Sequence, residues 1–259
     1  MSPGSKRIFA MGGGGFTMEP ENPALDRFIL TLPGRPIPRI CFLPTASGDP
    51  DDHIARFHAA FDSELCEPSH LSLFRLGRRP VAVAEHLLSQ DIVYVGGGSM
   101  VNLLAIWAAH ELDRILVECW RQGVVLAGLS AGSMCWFEVG VTTSSGKAAP
   151  ARGLGLLPGS NCVHYDGEPN RRPIYLEAVR RGEIPGGYGV DDGVGLLFEG
   201  TRLERVVSSR PQALAYRVQA RDGLVTEAPL QPERLATIAA REAPADVVEL
   251  RRVHELRRR

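Results

Sequence analysis

The sequence predicts a three-layer α/β sandwich with a mostly parallel central sheet. Two observations carry this expectation. Short apolar runs rich in β-branched residues alternate with longer amphipathic runs, the pattern of parallel strands covered by helices on both faces. The chain has 259 residues, 44% hydrophobic and 23% charged, which suits one compact core and excludes disorder and collagen-like repeats.

The first strand is expected at Arg7–Met11, an apolar run stopped by Gly12 to Gly15, and a helix over Asn22–Thr31 follows it. Arg39–Leu43 reads as the second strand and Asp51–Phe61 as the next helix, with acids in its first turn. A strand at Leu71–Phe74, a helix at Val81–Leu88 and a strand at Ile92–Val95 continue the alternation. Met100–Trp120 reads as one long helix, Val124–Ala127 as a strand, and a helix is expected from Ala131 into Glu138. From Thr142 the texture changes. Thr142–Gly159 is rich in Gly, Ser and Pro and reads as loop, while Cys162–His164, Val194–Phe198, Arg205–Ser208 and Leu214–Val218 read as short strands, some antiparallel, interrupted by a helix at Pro173–Arg181. No repeat or low-complexity linker divides the chain, so residues 1–259 read as a single domain with a core of about 7–218 and a C-terminal extension of about 219–259.

A net charge of -1 gives the molecule no electrostatic reason to seek nucleic acid or anionic lipid, and a small-molecule partner is expected instead. The basic ending RRVHELRRR reads as a solvated helix or frayed end. No stretch reaches the roughly 18 uninterrupted apolar residues of a membrane span, because Val101–Trp120 carries His110, Glu111, Asp113, Arg114 and Glu118. Met1–Arg7 is polar and the apolar run after it is short, so no export signal is read. Cys41, Cys66, Cys119, Cys135 and Cys162 are widely spaced, form no CxxC and read as reduced, mostly buried thiols of a cytoplasmic protein.

The sharpest local signal is Val124 to Phe137, where an apolar strand enters Gly128-Leu-Ser130-Ala-Gly132 and then an apolar helix. A serine on such a strand-to-helix turn needs small neighbours, and the helix N-terminus beside it favours developing negative charge. A second glycine cluster, Gly96-Gly97-Gly98, also follows an apolar strand. It lacks the Lys-Ser/Thr of a P-loop and the spacing of a dinucleotide fingerprint, and reads instead as a backbone oxyanion cradle opening on the crevice that holds Ser130.

A serine nucleophile needs a base. Of seven histidines, His53, His58, His86 and His110 fall in expected helices and His254 in the tail, whereas His164 closes a short apolar run on a separate element. An orienting carboxylate is offered by Asp191 or Asp192, in the turn Gly189-Val-Asp-Asp-Gly-Val194. Chain order is then Ser, His, Asp. His53 and His58, with Asp49, Asp51 and Asp52, make a poor metal site because five residues of helix splay the rings apart. Cys135 lies inside the apolar helix, where a packed thiol is expected. The Gly12–Gly15 run has no acidic partner for nucleotide binding and reads as a chain-reversal or crevice-lining loop.

These segments resemble the peptidase E family of serine peptidases, which includes cyanophycinase relatives and shares a fold with class I glutamine amidotransferases, a flavodoxin-like architecture. The likeness is carried in order by YVGGGSMVNLL, LAGLSAGSMCWF, the histidine of CVHYD and GYGVDDGVGL. The resemblance implies Ser130 as nucleophile, His164 as base and Asp192 as orienting acid, in place of the family's glutamate, with Asp191 the alternative. It implies oxyanion donors in the amides of Ala131 and of Gly97 or Gly98, and Arg171 or Arg172 as the cation for a substrate carboxylate. The implied activity is hydrolysis of short peptides, with a preference for aspartyl bonds, requiring no metal or organic cofactor. A cyanophycinase-like isopeptidase, an esterase or amidase, and an inactive binding module are the alternatives. The oligomeric state is left open, a homodimer included.

Overall fold

The computed structural model describes residues 5–236. In chain order the elements are β1 (Arg7–Met11), α1 (Gly15–Met18), α2 (Ala24–Thr31), β2 (Arg39–Leu43), α3 (Asp51–Ala60), β3 (Glu67–His70), α4 (Val83–Leu88), β4 (Ile92–Val95), α5 (Met100–Ala109), α6 (Leu112–Arg121), β5 (Val125–Leu129), α7 (Ala131–Met134), β6 (Phe137–Thr142), β7 (Ala149–Arg152), β8 (Leu157–Val163), α8 (Arg171–Arg180), β9 (Gly187–Val190), β10 (Val194–Glu199), β11 (Arg202–Ser208), β12 (Ala215–Arg221), β13 (Leu224–Leu230) and β14 (Glu233–Arg234).

The main sheet runs β14-β11-β10-β1-β5-β4-β2-β3, and its five strands from β1 to β3 are parallel. Side chains alternate between two buried faces, as central parallel strands require. Ile8, Ala10, Cys41, Leu43, Val93 and Val95 join the core shared with α4, α5 and α6. Phe9, Met11, Ile40, Phe42, Ile92 and Tyr94 join the aromatic core under α1, α2 and α3. A second sheet, β13-β12-β9-β8-β6-β7, closes over the first core through Phe137, Tyr188 and Val190, and α8 packs on its other side. The α/β architecture with a mostly parallel central sheet is therefore as expected.

Several elements differ from the sequence expectation. The third strand lies at Glu67–His70, ahead of the apolar Leu71–Phe74, because it is the sheet's edge, where Pro68 and polar residues are tolerated. Leu71 and Leu73 fill the core from the turn that follows. The long helix over Met100–Trp120 is two helices, broken where Glu111 takes φ 54°, so that Leu112, Leu116 and Cys119 re-aim at the sheet. The helix expected from Ala131 into Glu138 ends at Met134, and Phe137 already belongs to β6. Within Thr142–Gly159, β7 pairs with β6 as a hairpin and β8 begins at Leu157. The strand β9 carries no strand signal in the sequence because its glycines serve close approach: a Cβ on Gly187 would lie 1.8 Å from the Ser160 carbonyl oxygen.

The strand β12 runs through Val218, and β13 continues the second sheet to Leu230. The tail RRVHELRRR lies outside the described residues. All five cysteines are free and buried. Among the described residues no helix is long and apolar enough to cross a membrane.

Candidate active site

Ser130 ends β5 and starts α7 at φ 54°, ψ -116°, a conformation that a residue with a side chain holds only under constraint. The constraint comes from crowding on both sides. A Cβ on Gly128 would lie 2.2 Å from the Gly132 carbonyl oxygen, and one on Gly132 would lie 2.3 Å from that of Val95. Helix and strand therefore close to backbone contact, and the serine hydroxyl is thrown outward.

His164 follows β8, itself at φ 52°, and its Nε2 stands 2.9 Å from Ser130 Oγ. Its Nδ1 stands 2.6 Å from Asp192 Oδ1. Burial pushes the Asp192 carboxyl up, but the hydrogen bond and charge of His164, together with the charges of Arg210 and Arg171, outweigh it and the net direction is down. An ionised carboxylate only accepts, so Nδ1 carries the proton and Nε2 is left to accept from the Ser130 hydroxyl. Although shorter than glutamate, Asp192 reaches the imidazole.

Asp191 faces elsewhere. Its Oδ2 accepts from the Leu214 N–H at 2.9 Å, and burial pushes its carboxyl up to about 6. The geometry thus separates the two acids that the sequence left as alternatives. The Asp192 N–H donates to Asp166 Oδ1 at 3.0 Å, and the Gly193 N–H donates to the Gly13 carbonyl at 3.0 Å. The Gly12–Gly15 run lines this part of the crevice: a Cβ on Gly13 would lie 2.1 Å from Asp192 Oδ1 and 3.1 Å from His164 Cε1.

Gly97 lies against the serine, since a Cβ there would be 3.2 Å from Ser130 Cβ, and Gly98 takes φ 141° where a Cβ would be 2.2 Å from the Ala46 carbonyl. Ala131 opens α7, so its amide has no acceptor within the helix. Of the three backbones expected to supply oxyanion donors, those of Gly97 and Ala131 lie next to Ser130, and Gly98 packs on Ala46.

The two nominated arginines are both engaged by protein groups. Arg171 is buried, with Nε 2.7 Å from Glu168 Oε2, Nη1 3.1 Å from the Val141 carbonyl and Nη2 3.1 Å from Thr143 Oγ1. Arg172 places Nη2 3.0 Å from Glu227 Oε2 and lies against the neighbouring rings of Tyr165 and Tyr216, with 43% of its side chain exposed. Among the remaining candidates, Cys135 donates to the Gly132 carbonyl at 3.3 Å as a packed thiol, and His58 meets His70 rather than His53. Sequence reasoning gave no role to Asp166, Glu19 or Arg210, which all reach the Asp192 turn. Only the position of Asp166, two residues after His164, carried any signal.

A family model described as Peptidase family S51 matches residues 8–206, a span that holds Ser130, His164 and Asp192. The chain belongs to peptidase family S51. A relative in Bacillus subtilis (strain 168), the uncharacterized peptidase YgaJ, is 49% identical over 225 residues, 87% of this chain and 97% of that one. The fold matches the crystal structure of a peptidase from an acI-B1 Actinobacterium with TM-score 0.70 at 19% identity, covering 92% of this chain and 99% of the other. A second crystal structure, of a Listeria monocytogenes EGD-e protein, matches with TM-score 0.57 at 18% identity over 80% of this chain and all of that one. Membership in family S51 makes this chain a peptidase of the serine class, a hydrolase.

Proposed function

We propose that this S51 peptidase hydrolyses short peptides through an acyl-enzyme on Ser130, with His164 as general base and Asp192 as orienting acid. The observation that carries the reading is the continuous chain Ser130 Oγ, His164 Nε2, His164 Nδ1, Asp192 Oδ1, with links of 2.9 and 2.6 Å, built on a strained strand-to-helix turn. As Ser130 Oγ attacks the scissile carbonyl carbon, Nε2 takes its proton, and Asp192 stabilises the imidazolium that forms. The negative charge that develops on the carbonyl oxygen is met by the amides of Ala131 and of Gly97 or Gly98. The C–N bond then breaks, and the amine leaves with the proton from Nε2. Water, deprotonated by the same imidazole, hydrolyses the ester and restores Ser130.

For the finer specificity we favour an acidic residue at the cleaved bond. Arg172 supports this, since it keeps part of its side chain in solvent, whereas Arg171 is buried among its partners. The test is cleavage of a mixed di- to hexapeptide library, with Asp-Xaa and β-linked Asp-Arg members, by the protein and by Ser130→Ala. Products from the native protein alone, clustered on aspartyl bonds, are expected. Products spread over all residue types would remove the aspartyl preference, and equal cutting by both proteins would remove the serine mechanism.

A further inference from the structure

Two side chains from distant parts of the chain meet beside the turn that carries Asp192. Glu19, at the C-terminal end of α1, accepts from Arg210 Nε and from Ser209 Oγ, the latter at 3.2 Å. Ser209 is tied to the same turn, its N–H donating to the Gly193 carbonyl at 2.8 Å. Asn22 Nδ2 donates to the Ser209 carbonyl at 3.2 Å. The stem of Arg210 lies across Gly193, where an added Cβ would be 2.6 Å from Arg210 Cγ. The Glu19–Arg210 pair therefore clamps the end of the glycine-rich crevice loop onto the Asp191–Gly193 turn.

The charges around that turn are unbalanced. Asp192 has Asp166 on its amide, Asp191 next to it in the chain and Glu19 across the turn, so four carboxylates gather about the turn. The cations that face them are Arg171, engaged by Glu168, Arg172, engaged by Glu227, and Arg210. Arg210 is the one whose stem lies on the turn itself, and its charge acts on both Asp192 and Asp166.

We propose that Arg210, held by Glu19, is a positioning residue that fixes the Asp191–Gly193 turn and with it the Asp192 carboxylate that faces His164. The inference rests on the reading of Ser130, His164 and Asp192 as one reacting chain. Removing a positive charge beside the His164–Asp192 pair makes protonation of that pair easier, so the acid side of any Ser130-dependent rate moves to higher pH.

The test measures the rate of Ser130 modification by a fluorophosphonate from pH 4.5 to 9 in the wild type, Arg210→Met, Arg210→Gln and Arg210→Lys, with melting curves alongside. Met keeps the aliphatic cover over Gly193, and Gln is the second neutral variant. In both, the acid limb is expected to rise by about half a pH unit, the order set by one half-exposed neighbouring charge, with a plateau about threefold to tenfold lower. Lys is expected to return the limb to the wild-type position while the plateau stays low, because it lacks the Nε–H that Glu19 holds. With a cleaved peptide the loss falls on kcat and leaves KM unchanged, since Arg210 acts through Asp192. A lower melting temperature with the limb unmoved overturns the proposal and leaves Arg210 a structural residue. If neither neutral variant folds, Arg210→Lys carries the test, and a plateau at the wild-type height overturns the proposal. A wild type whose Ser130 is not modified contradicts the reading of the site itself, a result separate from any Arg210 effect.

Discussion

Gly13→Ala puts one methyl group where the structure has no room for it. The new Cβ would stand 2.1 Å from Asp192 Oδ1, about 1 Å inside the 3.0 Å below which real Cβ atoms are essentially never found, and 3.1 Å from His164 Cε1. The carboxylate must shift by about that 1 Å, because the backbone that carries it is anchored by the Asp192 N–H bond to Asp166 and the Gly193 N–H bond to Gly13. A misplacement of about 1 Å in a reacting group costs on the order of 10²-fold in rate, and complete loss of the orienting acid about 10⁴-fold. The expected loss in the rate of Ser130 modification lies between these figures. The assay is a fluorophosphonate time course with melting curves, using Gly77→Ala, where a Cβ meets nothing within 4 Å, as control. Overpacking is expected to cost about 1–3 kcal/mol of stability, too little to unfold the chain. A Gly13→Ala protein that folds and reacts within threefold of wild type would refute the reasoning.

Three further outcomes are expected. Asp191→Asn should leave the Ser130 reaction within about threefold of wild type, because the Asp191 carboxyl serves Leu214, whereas Asp192→Asn should slow it on the order of 10³- to 10⁴-fold; the paired rate measurement checks this. Asp26 is buried, and burial raises its carboxyl to about 8, so between pH 4 and 8 the folded chain holds a proton that the unfolded chain has released. Stability should therefore fall as pH rises through that window, by at most about 1.4 kcal/mol per unit, and Asp26→Asn should flatten the slope in urea titrations at pH 5, 6.5 and 8. Arg171→Met strands the buried Val141 carbonyl and releases Glu168 and Thr143, a loss of about 3 kcal/mol that should lower the melting temperature by on the order of 10 °C.

Much of the fold was legible because central parallel strands are buried on both faces. β1, β2 and β4 read as apolar runs with the observed limits, since every residue after the first faces one core or the other. The edge strand β3 has no such obligation, and its Glu-Pro-Ser-His sequence carries no strand signal. β9 is hidden for the opposite reason, because contact with β8 excludes side chains at Gly187. At the site, Ser130 and His164 were legible because each follows an apolar strand. The choice between Asp191 and Asp192 was not, because adjacent residues of a turn face opposite ways and only the Leu214 amide and the imidazole tell them apart. The engagement of Arg171 by Val141 and Thr143, and of Arg210 by Glu19, depends on contacts between separate elements, which spacing along the chain does not encode.

The central claim is that Ser130 is made nucleophilic by His164. The most direct measurement is peptide mapping by mass spectrometry after brief fluorophosphonate treatment at pH 7.5, on the wild type and on His164→Ala. The account predicts an adduct on Ser130 alone among the serines, formed at least about 10³-fold more slowly in His164→Ala. An unmodified Ser130, or an adduct that forms equally fast without His164, would contradict it.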